Sequence, residues 1–361
     1  MKGTPLWLFS LIILQTSCKE VAPPSSISGS YFPEGAEWTE VGPDALEITN
    51  AEQKKLRDFL ESTNTRAFLL LKDGKIVLEE YFGKDLLTGQ NFNKDSYWYW
   101  ASAGKTLTAF TVGLAQEQGF LDINQKTSDF LGVGWTAMTK EKEDLVTVKH
   151  QLTMTSGMDI EVPDPFCFEP QCLQYKADAG TRWDYHNGPY TLLDNVIANA
   201  TKQNFDTYFN QNLRDKIGMD GFWRYVDNNH VYFSTARSMA RFGILMMNNG
   251  DWDGEVIMKD KSYFKSMVNT SQNLNEAYGY LWWLNGKDTG MVPGAQIVFK
   301  RWITPNAPKD MFAAMGKNGQ QLNIVPSRNL IIVRMGESPD ASQTGIQFQD
   351  DMWAELNKIL N

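Results

Sequence analysis

Residues 98–110 read WYWASAGKTLTAF: an aromatic run, a turn of small residues, and an apolar segment with helical spacing. Ser102 and Lys105 are three positions apart, which on a helix places both side chains on one face, one turn apart. The context predicts that Ser102 lies at a helix N-terminus, where free N–H groups favour a developing anion. A buried lysine with a lowered pKa can accept the proton of a serine hydroxyl. The stretch therefore predicts a nucleophile, Ser102, with Lys105 as its partner.

A second element, Tyr185-His186-Asn187, lies in the segment RWDYHNGPY at 182–190. The Gly-Pro pair that follows Asn187 predicts a loop just before a helix. A tyrosine that a loop presents to a cleft can move a proton between the nucleophile and the leaving group. We therefore predict a catalytic role for Tyr185 and a contact with a substrate amide for Asn187. A histidine-based mechanism through His186 lacks support.

A third element, KNGQ at 317–320, leads into the strand-like run QQLNIV. A glycine at the edge of a strand lets the backbone of a substrate approach closely. The N–H of Gln320 can then join that of Ser102 in an oxyanion hole, in which one donor contributes about 3 kcal/mol. We expect Lys317, Gly319 and Gln320 to contact the substrate or its oxyanion.

Each element has a second copy with the same spacing, so no single element is specific. The copies are Ser262 with Lys265, Tyr208 with Asn210, and Lys72 with Gly74. Tyr208 lies within a helical pattern, and Lys72 precedes the Asp-Gly turn of a predicted hairpin. The order and context of the three elements carry the prediction.

In that order, the elements resemble the three motifs of serine β-lactamases and penicillin-binding proteins. The Tyr-x-Asn form is similar to the class C β-lactamase and DD-peptidase branch, and the resemblance extends from about 65 to 340. The segments that share it are TVKHQLTMTSGM (147–158), STARSMARFGILMMNNG (234–250) and YGYLWW (278–283). The Gly-x-x-Gly-Gln run at 316–320 resembles β-lactamase-like esterases and hydrolases of 6-aminohexanoate oligomers. Asn318 stands where class C enzymes carry Thr, which argues against efficient β-lactam turnover.

The resemblance implies an α/β (α+β) fold of the β-lactamase/transpeptidase type. An antiparallel sheet flanked by helices, about 46–105 and 235–361, would enclose an all-helical region at about 106–234. The implied activity is that of a serine hydrolase that forms an acyl-enzyme on a small-molecule or peptide ester or amide, without metal or organic cofactor. Two alternatives stay open: a cell-wall D-alanyl-D-alanine peptidase or β-lactamase, and a non-catalytic acyl-accepting sensor or binding protein.

Local patterns predict the elements of this fold. A helix is expected at 51–62, and the run RAFLLLKDGKIVLEEYF at 66–82 predicts a β-hairpin about Asp73-Gly74. The stretch from about 120 to 250 has a mostly helical pattern. Strand-like runs return after about 277, and the final stretch from Gln347 to Leu360 predicts an amphipathic helix.

The N-terminus has the layout of a signal peptide. Lys2 precedes an apolar run, Leu6–Leu14, that is about half as long as a membrane span. Small residues then lead to Cys18, which resembles the acylated cysteine of a bacterial lipoprotein. We predict a lipoprotein signal peptide at 1–18, a tether at 19–45, a catalytic domain at 46–361, and a lipid-anchored location in the cell envelope outside the cytoplasm. Plain secretion is the alternative.

Composition and cysteine spacing narrow the partners further. A formal net charge of −9 argues against nucleic acid, whose phosphates favour basic patches. Cys167 and Cys172 lie five positions apart, and in an oxidising compartment they favour a disulfide over two free thiols. A zinc site is disfavoured because no histidine lies close to them in sequence. We interpret Trp282 and Trp283 as core packing and His230 as a loop residue without a role.

Overall fold

The computed structural model describes residues 30–85, 88–339 and 344–360. The predicted signal peptide, Cys18 and residues 19–29 of the predicted tether lie outside the described residues. The strands are β1 (Thr65–Lys72), β2 (Lys75–Tyr81), β3 (Trp98–Tyr99), β4 (Phe222–Val226), β5 (Asn229–Ser234), β6 (Asp251–Trp252), β7 (Glu255–Val256), β8 (Trp283–Leu284), β9 (Phe312–Gly316), β10 (Gln320–Val325) and β11 (Leu330–Gly336). The α-helices are α1 (Asn50–Ser62), α2 (Lys105–Glu117), α3 (Ser128–Leu131), α4 (Lys140–Glu143), α5 (Val148–Leu152), α6 (Asn187–Thr191), α7 (Leu193–Thr201), α8 (Phe205–Phe209), α9 (Ala236–Met247), α10 (Lys261–Met267) and α11 (Gly345–Leu356).

The main sheet combines the two ends of the described chain. Its strand order is β2-β1-β11-β10-β9-β8, and every neighbouring pair is antiparallel. Residues 67–71 of β1 are all buried, because helices cover both faces of the sheet. Helix α9 packs closest at Gly243, where an added Cβ would lie 2.7 Å from the Ile331 side chain. This architecture confirms the predicted fold class; the domain boundaries stay predictions.

The segment between the two halves of the sheet also contains strands, which corrects the expectation of an all-helical region at about 106–234. Strands β4 and β5 form a hairpin that joins β3 in a second sheet of order β3-β5-β4. The pattern is hard to recognise because Phe222, Tyr225 and Val226 of β4 are exposed, so no apolar face alternates with a polar one. This small sheet places β3, and hence the nucleophile that follows it, against the rest of the molecule.

The described residues contain neither a membrane-spanning helix nor a cluster of metal-ligating side chains. No helix among them combines the length and apolar character needed to cross a membrane. Nor do the described histidine, cysteine and acidic side chains gather in a group of three or more that could hold a metal ion.

Candidate active site

The nucleophile turn is held by backbone and side-chain bonds to β5. The N–H of Trp100 donates to the carbonyl oxygen of Tyr232 at 2.8 Å, and its indole Nε1 donates to Oγ of Ser234 at 2.7 Å. Ala101 then takes a left-handed conformation, with φ of 48°, which is uncommon for a residue with a side chain. The 3₁₀ turn Ala101–Gly104 follows and runs directly into α2. The chain thus presents Ser102 at the start of a helix, on the wall of the cavity described below.

Lys105 is buried beneath the nucleophile, with 4% of its surface exposed. Its Nζ lies 3.2 Å from Oγ of Ser102 and 2.9 Å from Oδ1 of Asn187. Burial lowers the pKa of Lys105 to about 7, and the charge of Asp194 opposes that shift. A large fraction of the amine is therefore neutral near pH 7 and able to accept the serine proton. Lys317, whose side chain is exposed, does not contribute to the lowered pKa of Lys105.

Tyr185 also contacts the nucleophile. Burial raises the pKa of its hydroxyl to about 12, and a hydrogen bond with Ser102 opposes that shift. The ring is fixed by Trp283, which stacks on it at a centroid distance of 6.0 Å and an interplanar angle of 16°. Because the hydroxyl stays protonated at neutral pH, it can donate or relay a proton but is poorly suited to be the initial base.

Asn187 contacts Lys105, although we expected it to contact a substrate amide. It begins α6, and its side-chain oxygen accepts the hydrogen bond from Nζ of Lys105. The residue therefore orients the amine toward Ser102. The neighbouring His186 is buried, and neither of its ring nitrogens has a hydrogen-bond partner within the described part of the chain.

The third element approaches the site through Gly316, three residues before the predicted glycine. A Cβ on Gly316 would lie 2.4 Å from the carbonyl oxygen of Trp100, so only glycine allows β9 to lie against the nucleophile turn. Lys317–Gly319 form the turn after β9 and line the cavity. Gln320 is fully buried in β10, where its side chain donates to the carbonyl oxygen of Gly336 at 2.6 Å.

The predicted oxyanion donor at Gln320 is therefore corrected. Strand β10 lies one strand away from the nucleophile, and Gln320 does not line the cavity. The Lys-x-Gly motif led to the wrong oxyanion donor because the motif begins at Lys317, one residue after β9 has ended. The backbone that leaves the sheet beside Ser102 is that of Lys317.

These residues open onto a cavity of about 880 Å³, a size typical of sites for small organic ligands. One wall is Ser102 with Tyr185, and another is the end of β9. The segment 285–311, between β8 and β9, contributes largely apolar residues: Val292, Pro293, Phe299, Trp302, Ile303 and Pro305, together with Arg301. Trp283, which we expected to be a core residue, also lines this cavity.

Two further residues near the site were not recognised in the sequence. Asp194 on α7 and His230 on β5 are buried together, with 2.7 Å between Oδ2 and Nδ1. His230 lies in β5 and not in the loop that we had expected. No local signal marks the pair, because its members are 36 positions apart.

The two cysteines support the second element. Cys167 and Cys172 are joined by a disulfide that closes a short loop. The backbone of this loop packs on Gly188, where a Cβ would lie 2.5 Å from the carbonyl oxygen of Cys167. The loop therefore supports the segment that carries Tyr185 and Asn187.

Comparison with protein families gives a match to the Beta-lactamase family over residues 53–344. An uncharacterized protein of Alkalihalophilus pseudofirmus is 22% identical over 312 residues, which cover 78% of this chain and 86% of that protein.

Solved structures share the fold at low sequence identity. A candidate 6-aminohexanoate-dimer hydrolase from Bacillus anthracis superposes with a TM-score of 0.66 at 17% identity, covering 92% of this chain and 91% of that one. A penicillin-binding protein homologue from Caulobacter crescentus superposes with a TM-score of 0.62 at 14% identity, covering 85% and 98%.

Proposed function

Because the chain belongs to the Beta-lactamase family, we propose that it is a serine hydrolase that cleaves an ester or amide bond through an acyl-enzyme. The observation that carries the proposal is the Ser102–Lys105 pair. The hydroxyl of Ser102, on the wall of a ligand-sized cavity, lies 3.2 Å from an amine whose pKa of about 7 leaves a large fraction of it neutral. That pair supplies a nucleophile and its base without a histidine or a metal ion.

In the first half of the reaction, Oγ of Ser102 attacks the carbonyl carbon while Nζ of Lys105 takes the hydroxyl proton. The carbonyl π electrons move to the oxygen, which becomes an oxyanion. The tetrahedral intermediate then collapses, and the bond to the leaving group breaks. Tyr185 donates its hydroxyl proton to that group and is reprotonated by the Lys105 ammonium. Water then attacks the acyl carbon in place of the leaving group, and its proton passes through Tyr185 to Lys105. The bond to Oγ of Ser102 breaks, and Lys105 returns the proton to that oxygen.

The oxyanion needs two donors, and the geometry favours the backbone N–H groups of Ser102 and Lys317. Ser102 lies at the start of α2, where helix N–H groups lack intrahelical acceptors. Lys317 follows Gly316, the closest approach of β9 to the nucleophile turn. Each such donor contributes about 3 kcal/mol to stabilising the transition state.

The cavity favours substrates with an apolar group beside the scissile bond. The cavity is lined by Phe299, Trp302 and Ile303, and Trp283 stacks on Tyr185. The purified protein should be tested with a p-nitrophenyl ester, a chromogenic cephalosporin and a D-Ala-D-Ala peptide. We expect turnover of the ester. Efficient release of D-Ala, or rapid cephalosporin turnover, would instead favour the cell-wall peptidase or β-lactamase, and acylation without release would favour a sensor.

Replacing Tyr185 with phenylalanine should lower kcat on an ester and on an amide by about 10²–10⁴-fold. The substitution removes only the hydroxyl and keeps the ring stacked on Trp283, so the melting temperature should change little. The matched control is Tyr208→Phe, because Tyr208 bonds Gln118 and does not line the cavity. Near-wild-type turnover by Tyr185→Phe on both substrates would remove Tyr185 from the mechanism.

We also propose that the protein is exported and anchored by lipid at Cys18, with the catalytic domain outside the cytoplasm. The sequence layout of 1–18 supports this, and so does the Cys167–Cys172 disulfide, which is typical of oxidising compartments.

The Cys18→Ala variant should not be labelled by a clickable palmitate. The processed protein should also be absent from the membrane fraction. Fractionation and mass spectrometry of the mature N-terminus would measure both effects. A variant that stays membrane-bound and unprocessed would point to a retained N-terminal segment in place of a lipid.

A further inference from the structure

We propose that Asp194 and His230 form a buried pair that controls the charge of Lys105, which makes them positioning residues for proton transfer from Ser102. This inference rests on the proposed function, because it concerns the base of that reaction. It adds two residues that lie outside the three motifs and do not line the cavity. The pair would act on the chemistry through Lys105 and not by touching the substrate.

The pair is held in a dry environment. Only 7% of each side chain is exposed. The Nδ1–H of His230 donates to Oδ2 of Asp194 at 2.7 Å, and the ring of His230 stacks on Tyr225 at a centroid distance of 4.4 Å. Burial raises the pKa of Asp194, and the bond from His230 opposes that shift. A buried carboxylate that lost this donor would take up a proton, because a lone buried charge is costly.

The pair also lies on elements that pack near the catalytic lysine. Helices α2 and α7, which carry Lys105 and Asp194, pack against each other. Tyr190 lies against the lysine, with its ring centre 4.1 Å from Nζ of Lys105. Asp194 is the carboxylate whose charge acts on this lysine. Because the surroundings exclude water, that charge acts over a longer distance than it would at the surface.

Several titratable groups face the pair. They are Lys105 from α2, Tyr190 from α6, Asp206 from α8, Tyr225 from β4 and, beyond Tyr190, Tyr185. Asp206 is the other acid, with its Oδ1 3.6 Å from Nε2 of His230, and its side chain is 41% exposed. It is therefore a natural control: it contacts the same histidine but does not act on Lys105.

The physical role of the anion is to offset part of the effect of burial. A carboxylate in direct contact would keep Lys105 protonated well above neutral pH, and burial without any anion would lower its basicity further. Asp194, which acts on the lysine through its charge, leaves the pKa of Lys105 at about 7. A general base is most effective at such a pKa.

The test is the pH dependence of the rate at which a fluorophosphonate probe acylates Ser102. For the wild type we expect the rate to rise with pH through about 7, as Lys105 loses its proton. Asp194→Asn removes the anion that favours the ammonium form, so the rise should move to lower pH by roughly half a unit to one unit. His230→Phe keeps an aromatic ring against Tyr225 and leaves Asp194 without its donor. It should move the profile in the same direction, and the double variant should add no further shift.

Asp206→Asn should leave the position of the rise unchanged. The proposal is overturned if Asp194→Asn and His230→Phe lower the rate equally at every pH, or if Asp206→Asn moves the profile as far as they do. If Asp194→Asn fails to fold by circular dichroism, His230→Phe decides. Failure of both to fold would show a purely structural pair and overturn the proposal as well.

The same experiment separates this proposal from the proposed function. Labelling that depends on Ser102 but shows unshifted profiles rejects only the role of the pair. Labelling that does not depend on Ser102 rejects the hydrolase mechanism itself.

Discussion

Replacement of Ser102 by alanine is expected to abolish covalent labelling by a fluorophosphonate or penicillin probe and to lower turnover by about 10⁴-fold or more. Without Oγ no acyl-enzyme can form, and the remaining groups provide only binding and polarisation of the carbonyl. The fold should be retained, because Ser102 is half-buried on the cavity wall and the turn around it is held through Trp100. Intact-mass spectrometry after exposure to the probe measures the adduct directly.

The control for this variant is Ser262→Ala, at the second Ser-x-x-Lys of the chain. Ser262 lies at the exposed start of α10, where its Oγ donates to Oδ1 of Asp260 at 2.7 Å and Lys265 is exposed. We expect Ser262→Ala to be labelled at the wild-type rate. An adduct that persists in Ser102→Ala, or disappears in Ser262→Ala, would refute the assignment of the nucleophile.

Replacement of Lys105 by methionine is expected to lower kcat/KM by about 10³-fold, within the range of general-base catalysis. Methionine keeps an unbranched apolar stem in the buried site, so the change removes the amine with little loss of packing. Both the proton acceptor of Ser102 and the donor to Asn187 are lost. The pH dependence near 7 should disappear with them, because that rise reports the titration of Lys105.

Lys265→Met is the matched control, since Lys265 has the same spacing from Ser262 but is exposed. Its rate and pH profile should equal those of the wild type. The double variant of Ser102→Ala and Lys105→Met should be no slower than Ser102→Ala alone, because the two groups act as one unit. A Lys105→Met enzyme that retains both its rate and its rise near pH 7 would require another base.

The sequence by itself determined the features that depend on neighbours along the chain. Ser102 and Lys105 share a face because residues three apart on a helix do so regardless of what packs around them. The β1–β2 hairpin follows from two β-rich runs joined by Asp73-Gly74, and both of these turn residues take left-handed conformations. The fold class followed from the order of the three motifs, and the family match over 53–344 confirmed it.

The tertiary structure decided what depends on water exclusion and on close approach between distant segments. It lowered the pKa of Lys105 by enclosing the amine away from water. It also brought Gly316 against Trp100, although more than two hundred residues separate them. The Asp194–His230 pair was equally hidden, since a buried hydrogen bond between side chains 36 positions apart forms only where two remote elements meet. The physical reason is common to all three: desolvation and contact depend on which segments enclose a site, and no local periodicity specifies that.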